Sequence, residues 1–381
     1  MQQEMERSLA KIAPEAVGAI DADVHPYFKE GLHSLAPYLS RAMQERMGLG
    51  PKPAYAAALA ASDFKIPTLP YYIDGGNTRA DNAPPAGGAP GSDPTFLVED
   101  LIERYQMGAV ILNGGNAISL GGMPDPDAAN AIAAAHNDWI AEEWLAHDKR
   151  IHGAIVVAPR DIPASVEEIK RWKNHPGMVQ VLIPEISEHA IGHRYFWPIF
   201  KAASENGLPV AIHPGGQTAG ANASMLPTLA SATFAEHWTN LPQVGQGQLI
   251  SMLLCGAFEQ FPDLRYVTTE YGVSWLPSAM WRADAAWKAF RKEVPWARKP
   301  PSEYILERCR FTTQPIDEPA NRQNLADLFR MIHAERTLLF STDYPHWDTD
   351  LPDEAQKKIP KDLRKRVFQE NARAIYPRLR V

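Results

Sequence analysis

The chain has 381 residues, of which 45% are hydrophobic and 22% are charged, a composition typical of a globular protein with a large core. The net charge of -7 and the lack of a Lys/Arg cluster argue against nucleic acid as a partner, because phosphate binding requires such clusters. No run of about 18 apolar residues is present, and the N-terminus lacks a secretory signal pattern. We therefore expect a cytoplasmic protein without a membrane span.

Short apolar segments alternate with amphipathic helical patterns along the chain, which predicts βαβ units and a parallel sheet. The predicted strands are Gly18–Asp23, Ala109–Asn113, Gly153–Ala158, Val179–Ile183, Pro209–His213, Arg265–Thr269, Arg310–Thr313 and Thr337–Ser341. Helical patterns include Asp127–Ala146, Ala164–Lys173, Phe196–Glu205 and Lys361–Ile375. Eight such repeats, with no G-x-G-x-x-G after the first strand, predict an α/β fold of the (β/α)₈ TIM barrel type in one domain, residues 1–381.

Two long segments interrupt this alternation. Residues 26–95 follow the first strand and are rich in Pro, Gly and Ala, and Gly215–Gln248 follow the fifth strand. Both segments begin at the carboxyl end of a strand, which is the face where barrel active sites lie. We predict long insertions after strands 1 and 5 that cover this face. The first, residues 26–95, is predicted to be a lid, an oligomerisation arm, or both.

The first strand carries three polar side chains in the sequence IDADVH, residues 20–25. Because alternate strand residues point the same way, Asp21, Asp23 and His25 are expected to share one face. Three polar groups facing a barrel interior are costly unless they have partners. A metal ion would satisfy them, and so would pairing among themselves.

Three other predicted strands end in groups of the same kind. The fifth strand ends in His213, the sixth is followed by Glu270, and the eighth by Asp343 with His346 three residues later. Since a barrel brings its strand ends to one mouth, these side chains are expected to converge. A mixed nitrogen and oxygen ligand set suits Zn²⁺, Mn²⁺ or Fe²⁺.

The motifs IDADVH, GLPVAIHPGG, RYVTTEYGVSWLP, STDYPH and NARAIYP occur in this order along nearly the whole chain. In this the chain resembles the amidohydrolase superfamily, in the branch with aminocarboxymuconate-semialdehyde decarboxylase and the hydroxybenzoate decarboxylases. The resemblance implies one divalent metal ion, with zinc expected first and manganese or iron as alternatives. The implied ligands are Asp23, His25, His213 and Asp343.

The sequence departs from the family pattern at three points. Asp23 occupies the first position of the usual His-x-His, and no Lys follows the fourth strand, which argues against a dinuclear hydrolase. Glu270 stands where some relatives have His, and its role is left open.

The resemblance implies a hydrolase or a carboxy-lyase that acts on a small carboxylated or cyclic substrate, derived from an aromatic compound. The reaction would use a metal-bound water or a metal-chelated substrate. An iron- or manganese-dependent oxygenase on the same fold, or a non-catalytic partner subunit, are the alternatives. Relatives are often dimers, so we expect a homodimer or a higher oligomer.

Further side chains at the predicted mouth are candidates for proton transfer and for substrate contact. The candidates for proton transfer are Asp343, Glu270, His237 and His346, and those for substrate contact are Tyr27, His193, Trp275 and Gln314.

Overall fold

The computed structural model describes residues 9–49, 78–185, 188–215 and 233–380. Eight parallel strands form one sheet in sequential order. Their bounds are β1 Ile20–Val24, β2 Ala109–Leu112, β3 Ile151–Val156, β4 Met178–Pro184, β5 Val210–His213, β6 Tyr266–Thr268, β7 Cys309–Thr312 and β8 Leu338–Leu339. Each predicted strand has a counterpart here.

The sheet closes on itself where the first and last strands meet. The backbone N–H of Ala22 donates to the carbonyl oxygen of Phe340 at 2.9 Å, and Val24 forms a parallel bridge with Tyr344. The strands are almost entirely buried, because helices cover the outside and side chains fill the inside. The predicted (β/α)₈ TIM barrel is confirmed.

Helices surround the barrel. Their bounds are α1 Arg41–Arg46, α2 Pro94–Leu97, α3 Pro126–Trp139, α4 Ile162–Trp172, α5 Trp197–Glu205, α6 Phe234–Leu254, α7 Ala257–Gln260, α8 Leu276–Ala289, α9 Pro301–Arg308, α10 Arg322–Met331, α11 Ala334–Thr337, α12 Pro352–Lys358, α13 Lys361–Lys365 and α14 Asn371–Ile375. Short π-helical segments extend α2, extend α3 and join α13 to α14: Val98–Glu103, Ile140–Leu145 and Arg366–Glu370. Among the described residues, no helix is both long enough and apolar enough to cross a membrane.

Several helices begin at the same local signal. Asp93 and Asp125 cap α2 and α3 by accepting hydrogen bonds from backbone N–H groups of the first turn, and a proline follows each of them directly. Asp161 caps α4 in the same way. An acidic cap satisfies free N–H groups, and proline at the first helical position loses no hydrogen bond. These signals position the helices that follow the carboxyl ends of the strands.

The second predicted insertion is partly a regular helix. Residues 216–232 lie outside the described residues, but α6 begins at Phe234 and runs to Leu254. Pro242, Gly245 and Gly247 interrupt its helical pattern in the sequence, which is why the segment looks irregular. Gly245 is required by packing, since a Cβ there would lie 2.5 Å from the ring of Tyr271.

Both ends of the first insertion lie against the barrel mouth. Near its start, the backbone N–H of Tyr27 donates to the carbonyl oxygen of Gly91 at 2.8 Å. Farther along, Thr78 forms an antiparallel bridge with His346. Its described parts include 3₁₀ helices at Gly31–Tyr38 and Ala80–Asn82. Residues 50–77 lie outside the described residues, so the lid and the arm both stay predictions.

Candidate metal centre

Five side chains from four strand ends meet at the barrel mouth. They are Asp23, His25, His213, Glu270 and Asp343, and one potential ligand atom from each lies within 4.8 Å of all the others. We call this set the donor cluster. Nε2 of His25 lies 2.8 Å from Oδ1 of Asp343 and 3.4 Å from Oδ1 of Asp23. Nε2 of His213 lies 3.0 Å from Oε2 of Glu270 and 3.6 Å from Oδ2 of Asp23.

The donor cluster contains buried polar atoms that lack hydrogen-bond partners in the described structure. These atoms are Oδ2 of Asp23, Nε2 of His25, Nε2 of His213 and Oδ1 of Asp343. One buried polar atom left without a partner costs about 1–3 kcal/mol. Four such atoms directed at one another fit a divalent cation, which binds imidazole nitrogen and carboxylate oxygen together.

The electrostatics of the donor cluster also favour a cation. Burial raises the pKa of Asp343 well above its usual range, and the carboxylates of Glu270 and Asp23 raise it further. Burial lowers the pKa of His25 well below its usual value, which keeps the imidazole neutral. Burial also lowers the pKa of His213, but the carboxylates of Asp23 and Glu270 raise it well above its usual value, so a metal ion here would displace a proton from Nε2. Neutral imidazole is the form that binds metals, and a cation would offset the repulsion among three carboxylates.

The imidazole of His213 is held in a fixed orientation. Its Nδ1 lies 2.6 Å from the carbonyl oxygen of Pro214, so we assign the proton to Nδ1. This tautomer leaves the lone pair of Nε2 directed at the donor cluster. Such a hydrogen bond on the opposite ring nitrogen is the usual support of a metal-binding histidine.

A chain of hydrogen bonds inside the barrel orients Asp23. Nδ2 of Asn113 donates to Oδ1 of Asp23 at 2.8 Å, and Nε2 of Gln180 donates to Oδ1 of Asn113 at 2.5 Å. The hydroxyl of Tyr376 donates to Oε1 of Gln180 at 3.0 Å. Sequence reasoning missed these three supporting residues, although Tyr376 stands in the NARAIYP motif, because no local pattern shows which polar side chains face the barrel interior.

Asp21 lies outside the donor cluster, although it was expected to share a face with Asp23 and His25. Its two carboxylate oxygens accept hydrogen bonds from the backbone N–H of Thr342 at 2.9 Å and from the Thr342 hydroxyl at 2.5 Å. The third polar group of the first strand therefore ties β1 to the segment after β8.

The backbone is strained at two members of the donor cluster. Glu270 and Asp343 both have a φ of 61°, in the left-handed region that non-glycine residues rarely adopt. Glu270 lies in the segment after β6, which ends at Thr268, and Asp343 lies in the segment after β8, which ends at Leu339. Strain of this kind is found mostly at functional sites.

A cavity of about 280 Å³ is lined by parts of this site. Glu270, His237 and His346, which the sequence marked as candidates for proton transfer, all line it. Other lining residues, which sequence reasoning missed, are Asn116, Ser119, Phe234, Trp238, Trp347 and Asp348. Trp347 and Asp348 directly follow the STDYPH motif, and this position was the only available signal for them.

His346 connects the donor cluster to the cavity wall. Its Nδ1 lies 2.7 Å from Oδ2 of Asp343, and its Nε2 lies 2.7 Å from the hydroxyl oxygen of Tyr27. The His346 ring stacks on that of His25, with centroids 4.5 Å apart. Tyr27 also lines the cavity, where the sequence placed it as a substrate contact.

Three predicted substrate contacts are not among the described residues that line the cavity. His193 is exposed, and its Nδ1 accepts a hydrogen bond from the backbone N–H of Tyr195, because it caps a 3₁₀ helix. The indole of Trp275 is buried and donates to the carbonyl oxygen of Tyr271. Gln314 is fully buried behind the cavity wall. For these three residues, substrate contact stays a prediction that the described part of the cavity wall does not support.

This chain is similar to known proteins in sequence and in fold. The sequence model of a family described as Amidohydrolase matches residues 20–378. The gamma-resorcylate decarboxylase of Polaromonas sp. is 26% identical over 264 residues, covering 66% of this chain and 76% of the relative.

Two solved structures share the fold. A dihydroxybenzoic acid decarboxylase from Polaromonas sp. with bound manganese has a TM-score of 0.62 and 20% identity, and the match covers 96% of this chain and 98% of that one. A 5-carboxyvanillate decarboxylase from Novosphingobium aromaticivorans, also with manganese, has a TM-score of 0.63 and 19% identity, with 97% and 100% covered. The family match extends over most of the chain, and this protein therefore belongs to the amidohydrolase family.

Proposed function

We propose that this protein is a metal-dependent decarboxylase of a small aromatic carboxylic acid. The observation that carries the proposal is the donor cluster of three carboxylates and two imidazoles beside a small cavity with aromatic walls. The similarity to a gamma-resorcylate decarboxylase, at 26% identity, supports decarboxylation over the hydrolysis that the sequence left open.

Asp23, His25, His213 and Asp343 are the proposed ligands of one divalent cation. Glu270 is close enough to serve as a fifth donor or to act on the substrate. Bound there, a divalent cation would hold and orient the substrate carboxylate. The sequence favours zinc, whereas two structural neighbours contain manganese, so we propose both metals for direct comparison.

The cavity suits a single aromatic ring. Its volume of about 280 Å³ lies at the small end of ligand-binding cavities. Phe234, Trp238 and Trp347 line it, and aromatic side chains pack well against a planar ring. These walls hold the ring and exclude water from the reacting carbon.

Decarboxylation requires a proton at the ring carbon. The bond between that carbon and the carboxylate breaks, the electron pair stays on the ring carbon, and carbon dioxide leaves. A proton must then form the new C–H bond. We propose that the Tyr27 hydroxyl delivers it, after His346 has taken up a proton from solvent and passed it from Nε2 to the Tyr27 oxygen, because these two atoms lie 2.7 Å apart at the cavity wall. Glu270, which also lines the cavity, is the second candidate for the proton donor.

The test is a substrate screen on protein loaded with Mn²⁺ or Zn²⁺. We expect one carbon dioxide released per molecule of a hydroxybenzoate, no release after chelation, and deuterium at the former carboxylate carbon in D₂O. Metal-replete protein that releases no carbon dioxide from any hydroxybenzoate, but hydrolyses lactones or amides, would contradict the proposal.

Other expectations from the sequence remain proposals. A homodimer or a higher oligomer is expected, and light scattering of the purified protein measures its mass. The chain is also proposed to form one domain, with residues 26–95 as an insertion within it.

A further inference from the structure

Residues 371–378, which we call the closing segment, lie at the end of the barrel opposite the donor cluster. Nδ2 of Asn371 donates to the carbonyl oxygen of Leu338, the first residue of β8, at 2.8 Å. Nη2 of Arg378 donates to the carbonyl oxygen of Asn206, which precedes β5, at 2.6 Å. The closing segment therefore contacts the amino ends of strands whose carboxyl ends lead to the donor cluster.

Tyr376 extends from the closing segment into the barrel interior. It is 1% exposed, and its hydroxyl donates to Oε1 of Gln180 at 3.0 Å. Gln180 is the third residue of β4 and is fully buried. Burial raises the pKa of Tyr376, and the carboxylate of Asp23 raises it further, so the hydroxyl keeps the proton that it donates.

The direction of each hydrogen bond between Tyr376 and Asp23 is fixed. The carboxylate of Asp23 and the carbonyl oxygen of Ala22 can only accept, and both face Nδ2 of Asn113, at 2.8 and 3.0 Å. Oδ1 of Asn113 therefore faces Gln180, which must present its Nε2, at 2.5 Å. Oε1 of Gln180 is left as an acceptor, and Tyr376 is its donor.

This fixed direction limits how Asp23 can bind a cation. Its Oδ1 accepts from Asn113, while its Oδ2 is buried and has no hydrogen-bond partner among the described residues. Asp23 therefore presents a single oxygen to the donor cluster. Without the Tyr376 hydroxyl, Oε1 of Gln180 would lose its donor, and the two amides could reverse together. A reversed Asn113 would direct its oxygen at the Asp23 carboxylate, an unfavourable contact between two acceptors.

We propose that Tyr376 is a positioning residue for the metal centre, and that it couples the closing segment to metal binding at the opposite end of the barrel. Because coupling between two sites is reciprocal, the docked closing segment raises the affinity for the metal, and the bound metal stabilises the docked closing segment. This inference rests on the metal site of the proposed function, but it does not depend on the reaction.

Binding of Mn²⁺ to the metal-free protein tests the coupling, and the EPR signal of free Mn²⁺ measures this binding without turnover. Asn113→Leu should weaken binding about 10–100-fold, as is usual when the partner of a metal ligand is lost. Tyr376→Phe should weaken it about fivefold, at the lower end of couplings between two sites. In the Asn113→Leu background, Tyr376→Phe should cause no further loss, because the hydroxyl acts on Asp23 through Asn113.

Tyr304→Phe is the matched control for Tyr376→Phe. Tyr304 is also buried, and its hydroxyl accepts from the backbone N–H of Arg298 at 3.0 Å and donates to Glu259. None of these residues belongs to the donor cluster or to the closing segment. Tyr304→Phe should therefore lower the stability of the protein but leave its affinity for Mn²⁺ unchanged.

Hydrogen exchange tests the coupling in the other direction. Saturating Mn²⁺ should slow amide exchange in residues 371–378 of the wild-type protein, because the metal stabilises the docked closing segment. In Asn113→Leu, saturated at a higher Mn²⁺ concentration, exchange in these residues should not respond to the metal.

The inference is overturned if Tyr376→Phe binds Mn²⁺ as tightly as the wild-type protein, or if it loses the same factor in the Asn113→Leu background. Exchange in residues 371–378 that ignores Mn²⁺ in the wild-type protein would overturn it as well. None of these results touches the proposed reaction. Coupled Mn²⁺ binding without carbon dioxide release from any hydroxybenzoate would contradict the reaction but not the coupling, and a wild-type protein that binds no Mn²⁺ would contradict both.

Discussion

The hydroxyl oxygen of Tyr27 lies 2.7 Å from Nε2 of His346, whose other ring nitrogen lies 2.7 Å from Oδ2 of Asp343. Tyr27 comes from the segment after β1, whereas His346 and Asp343 come from the segment after β8. The two ends of the barrel sheet thus build one hydrogen-bonded array between the donor cluster and the cavity.

This array predicts the effect of removing one hydroxyl. Tyr27→Phe should lower kcat for decarboxylation about 100-fold, because proton delivery by a positioned group contributes that order of magnitude. Metal content should not change, since Tyr27 lies outside the donor cluster. Steady-state kinetics and metal analysis measure both quantities. Tyr38→Phe, which removes a hydroxyl near the surface, is the control. An unchanged kcat in Tyr27→Phe would remove Tyr27 from the proton path.

Metal binding is predicted to depend on His213. His213→Ala should lose most of the bound metal while the barrel stays folded, because one ligand disappears from a preformed site. Added Mn²⁺ should raise the Tm of the wild-type protein but not that of the variant, since a ligand of the native state stabilises it by mass action. His237→Ala, at the cavity wall but outside the donor cluster, should keep its metal. Full metal occupancy in His213→Ala would show that the ligand assignment is wrong.

Substitution by alanine is expected to change the free energy of unfolding in opposite directions at two glycines. A Cβ at Gly121 would lie 1.7 Å from the backbone oxygen of Glu185, so Gly121→Ala should lower the free energy of unfolding by at least about 2 kcal/mol. Gly247 is exposed in α6 with open space around it, so Gly247→Ala should raise that free energy by about 0.5–1 kcal/mol. Denaturant unfolding of the metal-free proteins measures both changes. Equal effects of the two substitutions would contradict the packing around Gly121.

The buried His136 predicts a pH dependence of stability. Burial lowers its pKa from 6.5 to about 4 in the folded protein. Between these values the unfolded chain takes up a proton that the folded protein does not, so stability falls as the pH falls from about 6.5 to about 4. The loss should reach about 3 kcal/mol relative to His136→Leu, which has no titrating group at this position. Unfolding of both metal-free proteins across this range measures the difference, and parallel curves would contradict it.

The strands and the proposed metal ligands could be predicted from the sequence because both depend on local patterns. Strands such as Val210–His213 are short apolar runs, and the ligand at each strand end interrupts such a run. Barrel geometry then brings the strand ends together without further information. This reasoning predicted that Asp23, His25, His213 and Asp343 converge, and all four belong to the donor cluster. That these four side chains bind a metal, as the family resemblance implies, stays a prediction.

The residues around the candidate metal centre could not be predicted in the same way. Trp275 follows a strand end, as a substrate contact would, but its buried indole donates a hydrogen bond to the carbonyl oxygen of Tyr271. Asp348 lies beyond the motif that carries Asp343, and only the turn after β8 brings it to the cavity. The direction of a side chain on a loop depends on tertiary contacts that no local pattern encodes.

The hydrogen bonds from Tyr376 through Gln180 and Asn113 to Asp23 join the segment after α14 to β1. Asp23 is synthesised long before Tyr376. A nascent chain therefore holds this proposed metal ligand without its full support until Tyr376 has been made. The orientation of Asp23 would then be completed only after all eight strands of the barrel have been synthesised.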